Sequence, residues 1–142
     1  MYDICTGGKR LGVSLRTELH AGAPFVRADR VQLQQVILNL VMNAIESTAS
    51  VARERRRLVI QSALSNPGEL LVAVKDTGPG IEAQQAERLF APFFTTKPQG
   101  IGMGLPISRS IIEAHGGRLW AEKNEPHGAV FQFVLPTRSQ SE

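Results

Sequence analysis

The stretch Asp76-Thr77-Gly78-Pro79-Gly80-Ile81 places a carboxylate directly before two closely spaced glycines. A second glycine-rich stretch, Gly100-Ile101-Gly102-Met103-Gly104-Leu105, follows and runs into a predicted helix. A carboxylate can accept a hydrogen bond from an exocyclic amine, and glycines that lead into a helix N-terminus can hold phosphate. The two stretches together indicate a purine nucleotide that is bound at both of its ends.

Length and composition predict one soluble domain and exclude several function classes. The chain has 142 residues, of which 42% are hydrophobic and 20% are charged, as is ordinary for a globular protein. The formal net charge of +3 is mild, and the basic cluster at Arg53 and Arg55–Arg57 contains no aromatic side chain. We therefore expect a solvated helix end there and no binding of nucleic acid.

Cysteine content and hydropathy indicate where in the cell the domain is expected to lie. The single cysteine, Cys5, excludes an internal disulfide and a cysteine metal cluster. No apolar run approaches the roughly 20 residues of a membrane span, and no signal peptide is visible. The sequence predicts a cytoplasmic domain without membrane contact of its own, and leaves open whether the parent protein is anchored in a membrane.

The chain divides into three parts by pattern. Residues 1–12 lack periodicity and are expected to be an N-terminal remnant or an artificial junction, with the usual first helix of such a domain truncated. Residues 13–137 carry all the regular patterns and form the predicted domain. Residues 138–142 are expected to be a disordered tail.

Hydrophobic periodicity predicts the elements of this domain. Asp29 and Gln32 have capping-box spacing, and an apolar stripe at helical period follows them to about Val51. The other predicted elements are strands at Val13–Leu19, Phe25–Ala28, Leu58–Leu64, Leu70–Val74, Arg118–Glu122 and Ala129–Leu135, helices at Gln84–Leu89 and Leu105–His115, and a loop at Ala91–Met103. Strand pairs interrupted by three helices predict an α/β two-layer sandwich, with a mixed, mostly antiparallel sheet covered on one face by about three helices.

Amide side chains recur along the long helix. Gln35, Asn39 and Asn43 are four residues apart and so share one stripe of the helix. Such a stripe is most often solvated, but neutral amides can also bind a hard cation or phosphate oxygens without repelling them. The two glycine stretches supply a ligand for which this second interpretation fits. The Rossmann and P-loop signatures do not match the glycine spacing.

Four blocks in this order resemble the N, G1, F and G2 boxes of the catalytic ATP-binding domain of sensor histidine kinases. The blocks are Gln35–Ala44, Asp76–Ile81, Leu89–Lys97 and Gly100–Leu105, and His115–Glu122 matches as well. The resemblance extends from about Val13 to Pro136. It implies the Bergerat-type ATP-binding fold, which this family shares with DNA gyrase, the MutL mismatch-repair proteins and the heat-shock chaperone ATPases.

The resemblance implies ATP and Mg²⁺ as ligands and assigns roles to residues near the base and the metal. Asp76 would accept a hydrogen bond from the adenine amino group. Gly78 and Gly80 would let backbone and water approach the ring. Asn43 would bind the Mg²⁺ that bridges the triphosphate, and Asn39 would support that site.

The resemblance also implies a lid near the phosphates at about Ala91–Met103, anchored by Phe90 and Phe93. The remaining residues that it places at the nucleotide are Ile81, Thr95, Thr96, Lys97, Gly100, Gly102, Gly104 and Leu105. Gly102, Gly104 and the amide of Leu105 would cradle phosphate, while Thr95 to Lys97 would lie on the lid.

Three positions depart from the family patterns. Hydrolysing relatives place a glutamate base one helical turn before the metal asparagine, where this chain has Asn39, which cannot act as a base at neutral pH. Many histidine kinases have a lysine three residues after that asparagine, where this chain has Glu46. The lid has only Pro98-Gln99 between Lys97 and Gly100, as in the nitrogen- and oxygen-sensing branch of the family.

No histidine in the chain lies in a phosphoacceptor motif, and His20, His115 and His127 are predicted to be structural. We therefore expect no catalytic residue beyond the ATP site. The implied partners are the dimerisation and phosphoacceptor domain of the same full-length kinase and, through that protein, a response regulator. Two alternatives stay open: a hydrolase of the gyrase and chaperone type, and a non-catalytic nucleotide-binding module.

Overall fold

The computed structural model describes residues 2–6, 9–19, 25–65, 68–82, 84–91 and 104–138. The strands are β1 Tyr2–Thr6, β2 Lys9–Glu18, β3 Phe25–Val26, β4 Arg57–Leu64, β5 Glu69–Asp76, β6 Arg118–Lys123 and β7 Ala129–Arg138. The helices are α1 Arg30–Ser47 and α2 Gly104–Ala114, with short 3₁₀ turns at Thr48–Ser50, Arg53–Arg55 and Arg88–Phe90. Neither α1 nor α2, the helices in the described part of the chain, is long and apolar enough to cross a membrane.

The strands form one mixed sheet. Its order is β1-β2-β4-β5-β7, and both β6 and β3 pair with the far side of β7. The β2–β4 pair is parallel, because α1 and the chain around it separate these strands, and the other pairs are antiparallel. The predicted mixed, mostly antiparallel sheet is therefore confirmed.

Two helices cover one face of the sheet and enclose the core. Val36, Leu40 and Ala44 lie on one stripe of α1 and are buried, as is Ile112 of α2. The strands contribute alternating buried side chains to the same core, namely Val13, Leu58, Val74, Leu119, Phe131, Phe133 and Leu135. Each fully buried Leu or Phe stabilises the fold by about 1.5–3 kcal/mol, so this layer holds the helices in fixed positions on the sheet.

The start of α1 is tied to the end of α2 by a histidine. Asp29 Oδ1 accepts a hydrogen bond from Gln32 N at 3.0 Å, which confirms the N-cap. In a complete capping box Asp29 N would donate to the side chain of Gln32, but here it donates to His115 Nε2 at 3.0 Å. His115 Nδ1 lies 2.7 Å from Ile111 O, and a carbonyl can only accept, so Nδ1 carries the proton. His115 thus has the predicted structural role.

Three expectations differ from the structure. The predicted helix at Gln84–Leu89 is a turn followed by the 3₁₀ turn Arg88–Phe90, so two α-helices rather than about three cover the sheet in the described part of the chain. The segment is too short to nucleate an α-helix, and Phe90 is drawn into the core. Residues 2–6 and 9–12, expected to be an N-terminal remnant or an artificial junction, pair in strands β1 and β2. Edge pairing needs only backbone hydrogen bonds, which leave no side-chain period.

Other expectations fall outside the described residues. His20, the four residues after Arg138 and the segment 92–103 belong to this group. The segment 92–103 contains six of the residues to which the sequence gives a role, namely Phe93, Thr95, Thr96, Lys97, Gly100 and Gly102. Their roles stay predictions.

Candidate functional site

The carboxylate of Asp76 is buried at the end of β5. The residue is 1% exposed, and its Oδ1 accepts hydrogen bonds from Gly78 N at 2.9 Å and Ala129 N at 3.3 Å. The second oxygen, Oδ2, is buried as well. Because two backbone N–H groups fix Oδ1, a donor that enters this site would be met by Oδ2. Burying a carboxylate is costly, so such a group is expected to have a specific task.

The turn after Asp76 requires glycine at two positions. A Cβ on Gly78 would lie 2.6 Å from Ser47 O of α1, which is closer than a side chain can approach. Gly80 has φ +88°, and its Cβ would lie 2.9 Å from Gly128 O. The first glycine stretch is therefore a side-chain-free turn pressed against the C-terminal end of α1, as the sequence predicts.

Asn39 joins α1 to the first turn of α2. Its Oδ1 accepts from Gln35 Nε2 at 2.9 Å, and its Nδ2 donates to Gly104 O at 3.3 Å and Ser108 Oγ at 3.1 Å. Ser108 is fully buried. The amide stripe of α1 is thus not merely a solvated face, because it positions the helix that follows the second glycine stretch. Ser108 carries no motif, and the sequence did not identify it.

The stripe of α1 spans the distance between the two glycine stretches. Asn39 contacts Gly104 at one end, and the backbone of Ser47 contacts Gly78 at the other. At a rise of 1.5 Å per residue these two contacts lie about 12 Å apart along the helix, and Asn43 lies midway. Ile81 and Leu105, which close the two glycine stretches, are partly buried against the same core. Among the predicted site residues that the structure describes, Asn39 thus contacts Gly104 directly, and Asp76 and Gly78 form the turn that packs on the other end of α1.

A charged pair that the sequence did not identify connects α2 to the segment before residue 92. Arg109 bonds Glu87 through two contacts of 2.9 and 3.0 Å, and its Cζ lies 4.3 Å from the ring centroid of Phe90. Phe90 in turn meets the ring of Phe131 edge-on at 6.3 Å. These contacts hold α2 against the core through a second set of residues, separate from its bonds to Asn39. The sequence does show Arg109, a basic residue in the second turn of α2, but it does not show that Glu87, 22 positions earlier, is its partner.

The Glu87–Arg109 contact predicts a small pH-dependent contribution to stability. The hydrogen bond from Arg109 lowers the pKa of the Glu87 carboxyl below its ordinary value of 4.5. A carboxyl whose pKa is lowered in the folded state stabilises the fold at pH values above its unfolded-state pKa. This stabilisation is lost as the pH falls through the folded-state pKa. Glu87 is largely exposed, so we expect a coupling free energy below about 1 kcal/mol after solvent screening.

A double-mutant cycle measures this coupling. The variants Glu87→Gln, Arg109→Met and the double variant are unfolded in denaturant at about pH 7 and about pH 3, and the coupling is expected to be smaller at the lower pH. An undiminished coupling at the lower pH would show that shape, not charge, joins the two side chains.

A cleft of about 890 Å³ lies between the first glycine turn and β6. Gly80, Ile81 and Gln85 line one side, and Ala121 and Lys123 line the other. Asp76 is not among its lining residues. In the described part of the chain no three His, Cys, Asp or Glu side chains are placed to hold a metal ion together.

Comparisons with known proteins agree with this arrangement. A family model described as histidine kinase-, DNA gyrase B-, and HSP90-like ATPase matches residues 28–139. The sensor protein FixL of Bradyrhizobium diazoefficiens is 48% identical over 135 residues, which cover 95% of this chain and 26% of FixL. The chain thus spans about a quarter of that relative.

Two solved structures share the fold. The catalytic domain of histidine kinase ThkA, in a nucleotide-free form, superposes with a TM-score of 0.77 at 41% identity, covering 89% of this chain and 80% of that domain. Histidine kinase ThkA in complex with the response regulator protein TrrA gives a TM-score of 0.74 at 37% identity, covering 90% of this chain and 35% of that chain. Together with the buried Asp76, the two glycine stretches and the linking amides, these matches show that the chain belongs to the histidine kinase-, DNA gyrase B- and HSP90-like ATPase family, as a catalytic domain of the histidine-kinase type.

Proposed function

We propose that this domain binds Mg·ATP and donates the γ-phosphate to a histidine on the dimerisation domain of the same full-length kinase. The observation that carries the proposal is the buried carboxylate of Asp76, whose Oδ1 is fixed by two backbone N–H groups. A buried, oriented acceptor beside a side-chain-free turn fits the amino group of adenine. Gly78, Gly80 and Ile81 would form the walls that face the base.

The phosphates would lie towards the first turn of α2. The N–H groups at the start of a helix have no partner within the helix and carry a partial positive charge, which favours phosphate. Asn39 occupies the carbonyl of Gly104 and so fixes the direction of this turn. Gly104 and the amide of Leu105 would hold phosphate oxygens, and Thr95, Thr96, Lys97, Gly100 and Gly102 would complete this part of the site.

Asn43 would hold the Mg²⁺ ion. Its position on α1, midway between the turn at Gly78 and the start of α2, fits a metal held beside the phosphates, and an amide oxygen is a suitable ligand for a hard cation. The ion would offset the negative charge of the triphosphate.

Phosphoryl transfer requires little covalent chemistry from this domain. A nitrogen of the acceptor imidazole forms a bond to the γ-phosphorus, the bond from that phosphorus to the β–γ bridging oxygen breaks, and ADP leaves. The domain contributes positioning and charge stabilisation. Asn39 supplies no base, because an amide is not basic at neutral pH, and its side chain is already engaged by Gln35, Gly104 and Ser108. This argues against a self-contained hydrolase.

The proposed partners follow from this reaction. The acceptor histidine would belong to the dimerisation domain of the parent kinase, which would then transfer the phosphate to a response regulator. Histidine kinase ThkA forms a complex with a response regulator protein, which supports this assignment. We propose a cytoplasmic location for the domain, with no contact to nucleic acid or membrane.

Calorimetric titration with Mg·ADP and a non-hydrolysable ATP analogue tests the nucleotide site. Omission of Mg²⁺ should weaken binding of the analogue more than binding of ADP. Transfer from ATP to a supplied dimerisation domain of the parent kinase tests the reaction. Steady phosphate release without an acceptor would favour a hydrolase, and full binding without any transfer would favour a non-catalytic nucleotide-binding module.

A further inference from the structure

The turn between β6 and β7, residues 124–128, lies directly behind Asp76. Asn124 N donates to Gly128 O at 3.0 Å and closes the turn on itself. Sequence motifs gave these residues no role. Three contacts connect this turn and the first residue of β7 to Asp76.

The first contact holds the backbone of Asp76. Asn124 Nδ2 donates to Asp76 O at 3.0 Å, across 48 positions of sequence. The direction of this bond is unambiguous, because a carbonyl oxygen accepts only and the amide group must therefore present its NH₂. Asn124 is half-buried, so water competes weakly for the bond.

The second and third contacts hold the rest of Asp76. Gly128, at φ +102°, lies so close that a Cβ there would be 1.8 Å from Asp76 O. The next residue, Ala129, donates its backbone N–H to Asp76 Oδ1 at 3.3 Å. The turn and the first residue of β7 thus fix both the main-chain carbonyl and the side-chain carboxylate of Asp76.

We propose that Asn124 is a positioning residue that sets the preference of this domain for adenine over guanine. The proposal rests on the proposed function, since it assigns Asp76 to the base. Adenine presents a donor, its exocyclic amine, where guanine presents an acceptor oxygen, and a carboxylate attracts the first and repels the second. This discrimination depends on where the carboxylate lies, and the turn behind Asp76 determines that position.

Removal of the Asn124 amide should therefore have a selective effect. In Asn124→Ala and in the isosteric Asn124→Asp, whose carboxylate cannot donate, we expect Mg·ADP to bind about five- to tenfold more weakly, the usual effect of one hydrogen bond. Binding of Mg·GDP should change less, so that the ratio of the two dissociation constants falls. Binding of Mg·tripolyphosphate, which has no base, should stay unchanged.

The experiment compares the three ligands by calorimetry on wild type, the two Asn124 variants and His127→Ala, an exposed control in the same turn. Circular dichroism establishes that each protein is folded at the temperature of titration, and Asn124→Ser replaces any variant that is not. Unchanged Mg·ADP affinity in the folded Asn124 variants would overturn the proposal. A proportional loss for all three ligands would also overturn it, because that is the effect of general destabilisation.

Failure of the proposed function gives a different result. Absence of Mg·ADP binding by wild type, or wild-type affinity in Asp76→Asn, removes the nucleotide assignment and this inference with it. Normal binding by wild type, lost in Asp76→Asn and unaffected by Asn124 variants, removes the inference alone.

Discussion

Replacement of Asp76 by asparagine is expected to weaken Mg·ADP binding by a factor of about 100 or more. Asparagine has the same shape, and its Oδ1 can still accept from Gly78 N and Ala129 N, as the carboxylate oxygen does. Its NH₂ group would then take the place of Oδ2 and face the amino group of adenine. Two donors would meet in a buried site, so the change removes a charge-assisted hydrogen bond and adds an unsatisfied one.

Calorimetry on Asp76→Asn measures this loss, and Glu82→Gln is a matched control. Glu82 is an exposed carboxylate only a few positions further along the chain, so its neutralisation removes the same charge without touching the buried site. We expect affinity within about twofold of wild type in the control, as is usual for a surface change. Equal affinities in Asp76→Asn and wild type would remove the adenine assignment.

Replacement of Gly128 by alanine is expected to destabilise the fold by about 3 kcal/mol or more, which few single substitutions reach. Two costs add at this position. The backbone has φ +102°, a conformation that residues with a Cβ rarely adopt, and the new Cβ would collide with Asp76 O at 1.8 Å. Because the collision is with backbone, it can be relieved only by moving the turn away from β5, which also displaces Asp76.

Gly68→Ala separates the two costs. Gly68 also has a positive φ, +86°, but among the described residues beyond its chain neighbours a Cβ there would meet no heavy atom within 4 Å. Its replacement should cost only the conformational term, about 1 kcal/mol. Denaturant unfolding of both variants gives the comparison. A similar loss in the two variants would show that the turn behind Asp76 can relax freely, contrary to the close packing described above.

Some residues of the proposed nucleotide site could be predicted from local sequence patterns, and others could not. Asp76 and the two glycine stretches could be found because their chemistry is local: a carboxylate, a side-chain-free turn and a helix start are visible in a few consecutive residues. Asn39 could be placed on the correct stripe of α1 by helical period. Its partners, Gly104 and Ser108, could not, because they lie 65 and 69 positions away in the sequence.

Errors in the predicted elements have the same origin. The segment Gln84–Leu89 has helical composition, yet it forms a turn and the start of a 3₁₀ turn. In this conformation Phe90 enters the core and Glu87 pairs with Arg109 of α2. Residues 2–6 lack alternation because an edge strand is held by backbone bonds to β2, which any sequence can make. Local propensity is a weak prior in both cases, and tertiary contacts override it.

By itself the sequence determined the class of the fold, the N-cap of α1 at Asp29 and the residues that we propose face a nucleotide. These follow from periods of two and 3.6 residues and from the chemistry of short motifs, which act within a few positions of the chain. Only the tertiary structure decided what holds those residues in place. Asn124 of the β6–β7 turn and Ala129 at the start of β7 bond to Asp76, and Arg109 of α2 contacts Phe90. Such contacts depend on which strands are neighbours in the sheet, and the packing of the whole core determines that order.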